Sequence, residues 1–258
     1  MMPTALMLCL LMPAEPIDLL EQARQAFEEG VQQRQAGRRG RECFHRAAKS
    51  LEALRRQGAG GAGLYRSLGN AWWLAEELPA AILAYRQGLR RHPGDRDLQA
   101  ALESAREQVV YPEGSIRSRP TDLLVPGWLV SMPPLLLFVG LALAHLLGCV
   151  LATRACMLRR LDWLAMAGAC WIVAVLTGSL LLQRHSDERP VVVIARDGVP
   201  LRVGNGDNYP AWSEELLHRG VEAVLRHRRG DWLQIELSAG EIGWIRADEA
   251  LVEELPEP

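Results

Sequence analysis

The stretch LYRSLGNAWWLAEELPAAILAYRQGLRRHP, residues 64–93, decides how the chain is read. Its apolar residues recur at helical spacing on both sides of a turn at Glu76 to Pro79, which predicts two short amphipathic helices folded against each other. Gly69 and Ala81 are small where such helices cross, while Tyr65, Trp72 and Tyr85 have the bulk to fill the space around that contact. Pro79 opens the second helix, where its missing N–H costs nothing, and Pro93 stops it. No nucleophile, base or metal ligand stands out in the stretch.

Upstream, residues 17–56 also read helical. Leu19, Leu20, Ala23 and Phe27, then Cys43, Ala47, Leu51 and Leu54, recur mostly at spacings of three and four. A turn is expected at QAGRRGRE, 35–42, and a break at QGAGGAG, 57–63. The arginines of that turn, Arg38, Arg39 and Arg41, read as an anion site or as a solvated loop. Downstream, residues 95–108 predict one more helix with Asp95 as its N-cap.

Residues 62–95 resemble a tetratricopeptide repeat, a helix pair of about 34 residues with a W-x2-L-G-x2-Y…A-x3-F…P pattern. Tyr65, Leu68, Gly69, Trp72, Ala81, Tyr85, Gly88 and Pro93 stand at its positions. Such a pair cannot bury its apolar face alone, so neighbours are required. The 27–54 segment is similar to a degenerate preceding repeat, and 95–108 to a capping helix. The resemblance places Arg66, Asn70 and Trp73 on a peptide-binding groove, where Arg offers bidentate donors and Asn both a donor and an acceptor. Asn is also frequent there whatever such repeats bind, and Trp73 could instead cap the stack.

Composition is ordinary overall but uneven along the chain. Of 258 residues, 49% are hydrophobic, and the excess lies between Trp128 and Leu182. No Asp, Glu, Lys or Arg occurs from 125 to 153 or from 163 to 183. As a helix the second run is about 31 Å long, enough to cross a bilayer core. Two transmembrane helices are therefore predicted, 129–151 and 163–182, after a Pro- and Arg-containing linker, 111–128. Trp128 and Trp163 take interfacial positions. Gly140, Ala144 and Gly148 on the first span, and Cys170, Ala174 and Gly178 on the second, form small-residue stripes expected to face each other. His145 is expected to stay neutral and bonded to the partner helix.

The 152–162 connection carries Arg154, Arg159 and Arg160, which favours the cytoplasm, against Arg117, Arg119, Arg184 and Arg189 on the outer flanks. Residues 1–14 read as a candidate signal sequence, with cleavage and retention both compatible with Ala5–Met12. The expected location is a bacterial cytoplasmic (inner) membrane, crossed twice, with both soluble domains on its outer face. Net charge is formally −2, which gives no global field for nucleic acid. The five cysteines lack C-x-x-C spacing and indicate neither zinc nor a disulfide framework.

Residues 190–254 change period. Val221, Ala223 and Leu225 alternate; Leu233, Ile235 and Leu237 oppose Trp232, Gln234 and Glu236; Ile242 and Trp244 resume the pattern, with turns at Asp197-Gly198 and Ala239-Gly240. Short strands in this number predict a small barrel. Leu201-Arg202 before Gly204 and Gly206, Gly220, Gly230-Asp231-Trp232, and Gly240…Gly243-Trp244 resemble the motifs of bacterial SH3-like domains. Trp232 and Trp244 are expected to pack the barrel, leaving Tyr209 and Trp212 as its binding surface.

The fold class expected is multidomain: all-α tetratricopeptide-type repeats, a transmembrane helical hairpin and a small all-β SH3-like barrel. That order resembles the BatE-like proteins of bacterial aerotolerance operons. The resemblance implies a scaffold without catalytic residues, cofactor or metal, assembling with von Willebrand A-type membrane proteins and a MoxR-type ATPase in stress tolerance or envelope maintenance. Two rival readings stand beside it: a cell-wall sensor binding peptidoglycan through the barrel, and an enzyme or transporter subunit.

Overall fold

The computed structural model describes residues 16–111, 134–158, 161–187, 189–238 and 240–254. The candidate signal sequence, the linker beyond Tyr111, Trp128, Arg159 and Arg160 lie outside them. The chain divides into two units, one made of residues up to 122 together with 191–258, the other of 123–190.

In the first unit five helices precede a sheet: α1 (Pro16–Gln32), α2 (Arg38–Arg56), α3 (Ala62–Leu74), α4 (Leu78–Arg91) and α5 (Arg96–Arg106). Consecutive helices pack as hairpins, and α5 closes on α4. Gly69 shows why α3 and α4 lie so close: a Cβ there would sit 2.2 Å from the Tyr85 ring, so only hydrogen fits. Gly88 does the same for Tyr65, with 2.7 Å to its Cβ. Asp95 caps α5 through Oδ1, which accepts from the Leu98 N–H at 2.9 Å. One expectation fails at the first turn. Helix α2 already begins at Arg38, after Gly37 turns the chain with φ 60°, so the arginines lie on a helix rather than a loop. Arg38 and Arg41 there bond Glu42 at 3.0 Å and Glu76 at 2.7 Å, which offsets positive charge at a helix N-terminus.

The sheet is antiparallel: β1 (Val191–Ile194), β2 (Val199–Arg202), β3 (Ala211–Leu217), β4 (Glu222–Arg229), β5 (Trp232–Leu237), β6 (Ile242–Arg246) and β7 (Ala250–Val252), in the order β3-β2-β6-β5-β4-β1-β7. Strands β3 and β7 form its two edges. On β5, Leu233, Ile235 and Leu237 are buried and alternate with half-buried Trp232, Gln234 and Glu236, as the sequence predicts. On β6 the expected phase is reversed, because Gly243 and Ile245 point inward rather than Ile242 and Trp244. Leu201 reaches across into the slot at 243, where a Cβ would lie 2.5 Å from its Cγ.

Helices and sheet are not separate modules, contrary to the expectation. Tyr65, Ile82, Tyr85, Leu98 and Leu102 share one core with Val191–Ile194, Val221, Leu233 and Ile235. All four residues of β1 are buried, since one face meets the sheet interior and the other meets α4. Gly220, with φ 90°, sits under this seam: a Cβ there would meet Val109 at 2.8 Å and Ile82 at 3.2 Å.

The second unit is a hairpin of α6 (Pro134–Leu158) and α7 (Leu161–Asp187), both long and apolar enough to cross a membrane. Helix persists through most of the 152–162 connection. On α6 the residues turned toward α7 are Leu137, Leu141, Ala144, Gly148, Leu151 and Ala155, at alternating spacings of four and three. The two small-residue stripes do not simply face each other. Gly148 lies under the Trp171 ring, 2.7 Å from its Nε1 to a built Cβ, whereas Gly140 and Gly178 have nothing within 4 Å among the described residues. His145 is also misplaced by the sequence reading: it is exposed, and its Nε2 lies 3.8 Å from Cys149 Sγ on the same helix.

Candidate functional site

Three surfaces of the helix–sheet body bear on function. The first is the exposed side of α3. Arg66 pairs with Asp97 of α5. The Tyr85 hydroxyl donates to Asn70 Oδ1 at 2.7 Å, and burial pushes that phenol up to about 12. Trp73 is half-buried against the core. All three groove candidates therefore have partners within the protein. A ligand would have to displace Asp97 or Tyr85 to use the polar pair.

The second is the loop from β2 to β3. The Arg202 guanidinium donates to the backbone oxygens of Tyr209 at 2.8 Å and Asp207 at 3.2 Å, while Arg246 reaches the Asp207 carboxylate at 3.3 Å. Gly204 lets the Tyr209 ring lie on the backbone, where a Cβ would come within 2.6 Å of it. Thus Leu201-Arg202…Gly204 has a local mechanical reason: the arginine ties the loop and the glycine seats the aromatic. Val203, Tyr209 and Trp212 stay 50%, 50% and 55% exposed. Trp232 and Trp244 are half-buried, with the Arg246 guanidinium 6.0 Å from the Trp232 ring centre.

Because Trp244 is only half-buried, Trp244→Ala should destabilise the protein by about 2 kcal/mol, below the 3–5 kcal/mol of a fully buried tryptophan. Trp212→Ala should change it by under about 0.5 kcal/mol. Urea midpoints of the two variants compare them, and a larger loss for Trp212→Ala would refute this placement.

The third is the seam, which the sequence reading missed. Four ion pairs across it run from a helix arginine to a sheet-side glutamate. Arg106 contacts Glu222 at 2.6 Å and 3.2 Å, and Arg86 meets the same carboxylate at 3.0 Å. Arg90 pairs with Glu253 at 2.8 Å, and Arg55 with Glu254 at 2.8 Å. Arg106 and Glu222 are both 2% exposed. The Tyr111 hydroxyl is buried beside them without a hydrogen-bond partner among the described residues; burial first, then the Glu222 charge, pushes it up to about 12. Arg86 and Arg90 lie one turn apart on α4, which alone reads as a solvated face.

Glu253 is buried at 5% exposure. Burial raises its carboxyl above the ordinary value, and Arg90 and the Val191 N–H only partly offset that. An acid raised in the folded state contributes stability below its unfolded pKa and loses it as pH rises through the folded value. Wild type should therefore lose stability relative to Glu253→Gln as pH rises from 4.5 through that window. Urea titrations at a series of pH values read the gap, and a wild type that gains on Glu253→Gln would contradict the assignment.

Among the described residues no group of three or more His, Cys, Asp or Glu is placed to hold a metal ion. Compared with models of protein families, with curated proteins and with solved structures, the chain matches none of them.

Proposed function

We propose that this chain is a membrane-anchored scaffold that docks other proteins and performs no reaction itself. The observation that carries the reading is a pair of half-exposed aromatics, Tyr209 on a loop that Arg202 and Arg246 hold in place and Trp212 at the start of β3. Rigid aromatics bind with little loss of conformational entropy, which suits a docking surface. Helix pairs of tetratricopeptide type and a sheet of SH3 type would then form one body, anchored by the α6–α7 hairpin. Its partners are von Willebrand A-type membrane proteins and a MoxR-type ATPase, the assembly of BatE-like proteins, in stress tolerance or envelope maintenance. The test is recovery of the full chain from detergent-solubilised membranes. Wild type should bring down a von Willebrand A-type protein, and the Tyr209→Ala/Trp212→Ala variant should lose it while keeping its unfolding midpoint. Equal recovery by both would remove the loop from the function.

The exposed aromatics also favour a second reading, recognition of peptidoglycan. Retention of the purified full chain by sacculi, lost in the same variant, would select it over protein docking.

The proposed location is a cytoplasmic membrane with both termini of the hairpin on its outer face. Cys43 is buried at 5% exposure and unsuited to labelling as a test of this. Lys49 is exposed and is the only lysine. A membrane-impermeant amine reagent should modify Lys49 in intact cells, and modification only after lysis would reverse the topology.

A further inference from the structure

Helix α6 presents a second face, distinct from the one that α7 covers. Ala142, His145, Cys149 and Cys156 each follow a residue of the α7 contact by one position and so are turned from it by about 100°. All four are exposed, and Thr153 beside them is exposed too. The rest of the exposed surface of α6 is mostly Leu, Val, Phe and Met. A small and polar strip thus runs along an otherwise greasy helix. Within it the Thr153 hydroxyl is satisfied by the Cys149 carbonyl at 2.8 Å, but the His145 ring meets a sulfur at 3.8 Å, a weak contact.

An imidazole turned toward lipid is unfavourable, and ionisable side chains in membrane helices face other helices or water. The described residues contain two candidate spans, and α7 occupies a different side of α6. We infer that this strip is the contact between two copies of the chain, α6 against α6, with His145 facing its counterpart and Cys149 beside the two-fold axis.

The chemistry selects a second copy over a different partner. A neutral imidazole carries one donor and one acceptor, so two of them satisfy each other without placing a charge in the bilayer. A foreign helix offering a carboxylate would add a second ionisable group at the same depth. Ala142, Cys149 and Cys156 are small enough to let two backbones approach. A two-fold axis along the membrane normal keeps both hairpins in one orientation and closes the assembly at two.

This inference rests on reading α6 and α7 as membrane-spanning, and the experiment separates the two. Membranes carrying full-length single-cysteine variants are first washed with alkaline carbonate; release of the chain would overturn the membrane reading and this contact with it. In washed membranes treated with copper phenanthroline and oxygen, two Cys149 thiols should lose two protons and two electrons to give a disulfide-linked dimer. The variant retaining only Cys170, on α7, should stay monomeric. His145→Leu should lower the cross-linked fraction about five-fold, and His145→Gln, which keeps a donor and an acceptor, should restore it. Retained chain that fails to cross-link through Cys149, or that cross-links to a different polypeptide, would overturn the proposal.

Discussion

Glu222→Ala should destabilise the helix–sheet body by about 3–5 kcal/mol, the cost of breaking a buried ion pair. The loss comes from the side that remains. Arg106, 1% exposed at its side chain, loses the carboxylate that accepts two of its hydrogen bonds, and Arg86 loses the same carboxylate. Attraction between the charges is not the main term, because desolvation offsets most of it. Replacing both members, Arg106→Leu with Glu222→Leu, should therefore recover part of the loss. Urea denaturation of the full chain in detergent, followed by far-UV circular dichroism, measures both variants. A Glu222→Ala midpoint equal to wild type would mean that the seam opens at little cost and that helices and sheet are separable.

Gly69→Val should cost about 3 kcal/mol, at the upper end of overpacking. Tyr85 cannot move aside: it is 1% exposed and its hydroxyl is tied to Asn70. Gly63 gives an internal control, since it lies on the same helix and a Cβ there meets nothing within 4 Å. Gly63→Ala should stabilise the protein by about 0.5–1 kcal/mol through helix propensity alone. Opposite signs at two glycines of one helix would isolate the close approach as the cause; a shared sign would reject it.

The α3–α4 hairpin was legible because each of its constraints is local. Small residues at a crossing, bulky ones around it and a proline at each boundary all fall within thirty residues of sequence. The inward set of β5 was legible for the same reason, as a simple alternation. The phase of β6 was not, because its inward residue is a glycine whose space belongs to Leu201, and hydropathy assigns nothing to an absent side chain. The seam was hidden by distance. Arg86, Arg90 and Arg106 look like a solvated helix face until glutamates more than 100 positions later are brought to them. One clue was present: VVVI at 191–194 is a continuous apolar run rather than an alternation, which is what a strand covered on both sides requires. Of the candidate binding residues, Tyr209 and Trp212 lie on the surface as expected, while Arg66, Asn70 and Trp73 are engaged within the protein, because α5 and Tyr85 supply partners that a single repeat does not reveal.

The common core of helices and sheet also dictates an order of events during translation. Arg106 emerges from the ribosome 116 residues ahead of Glu222, with the whole apolar hairpin made in between. Until the last strands arrive, α4 and α5 must wait with a hydrophobic flank uncovered, a state open to chaperones and proteases. A stop codon before β1 would leave that flank exposed for good, so such shortened chains should be cleared rather than accumulate.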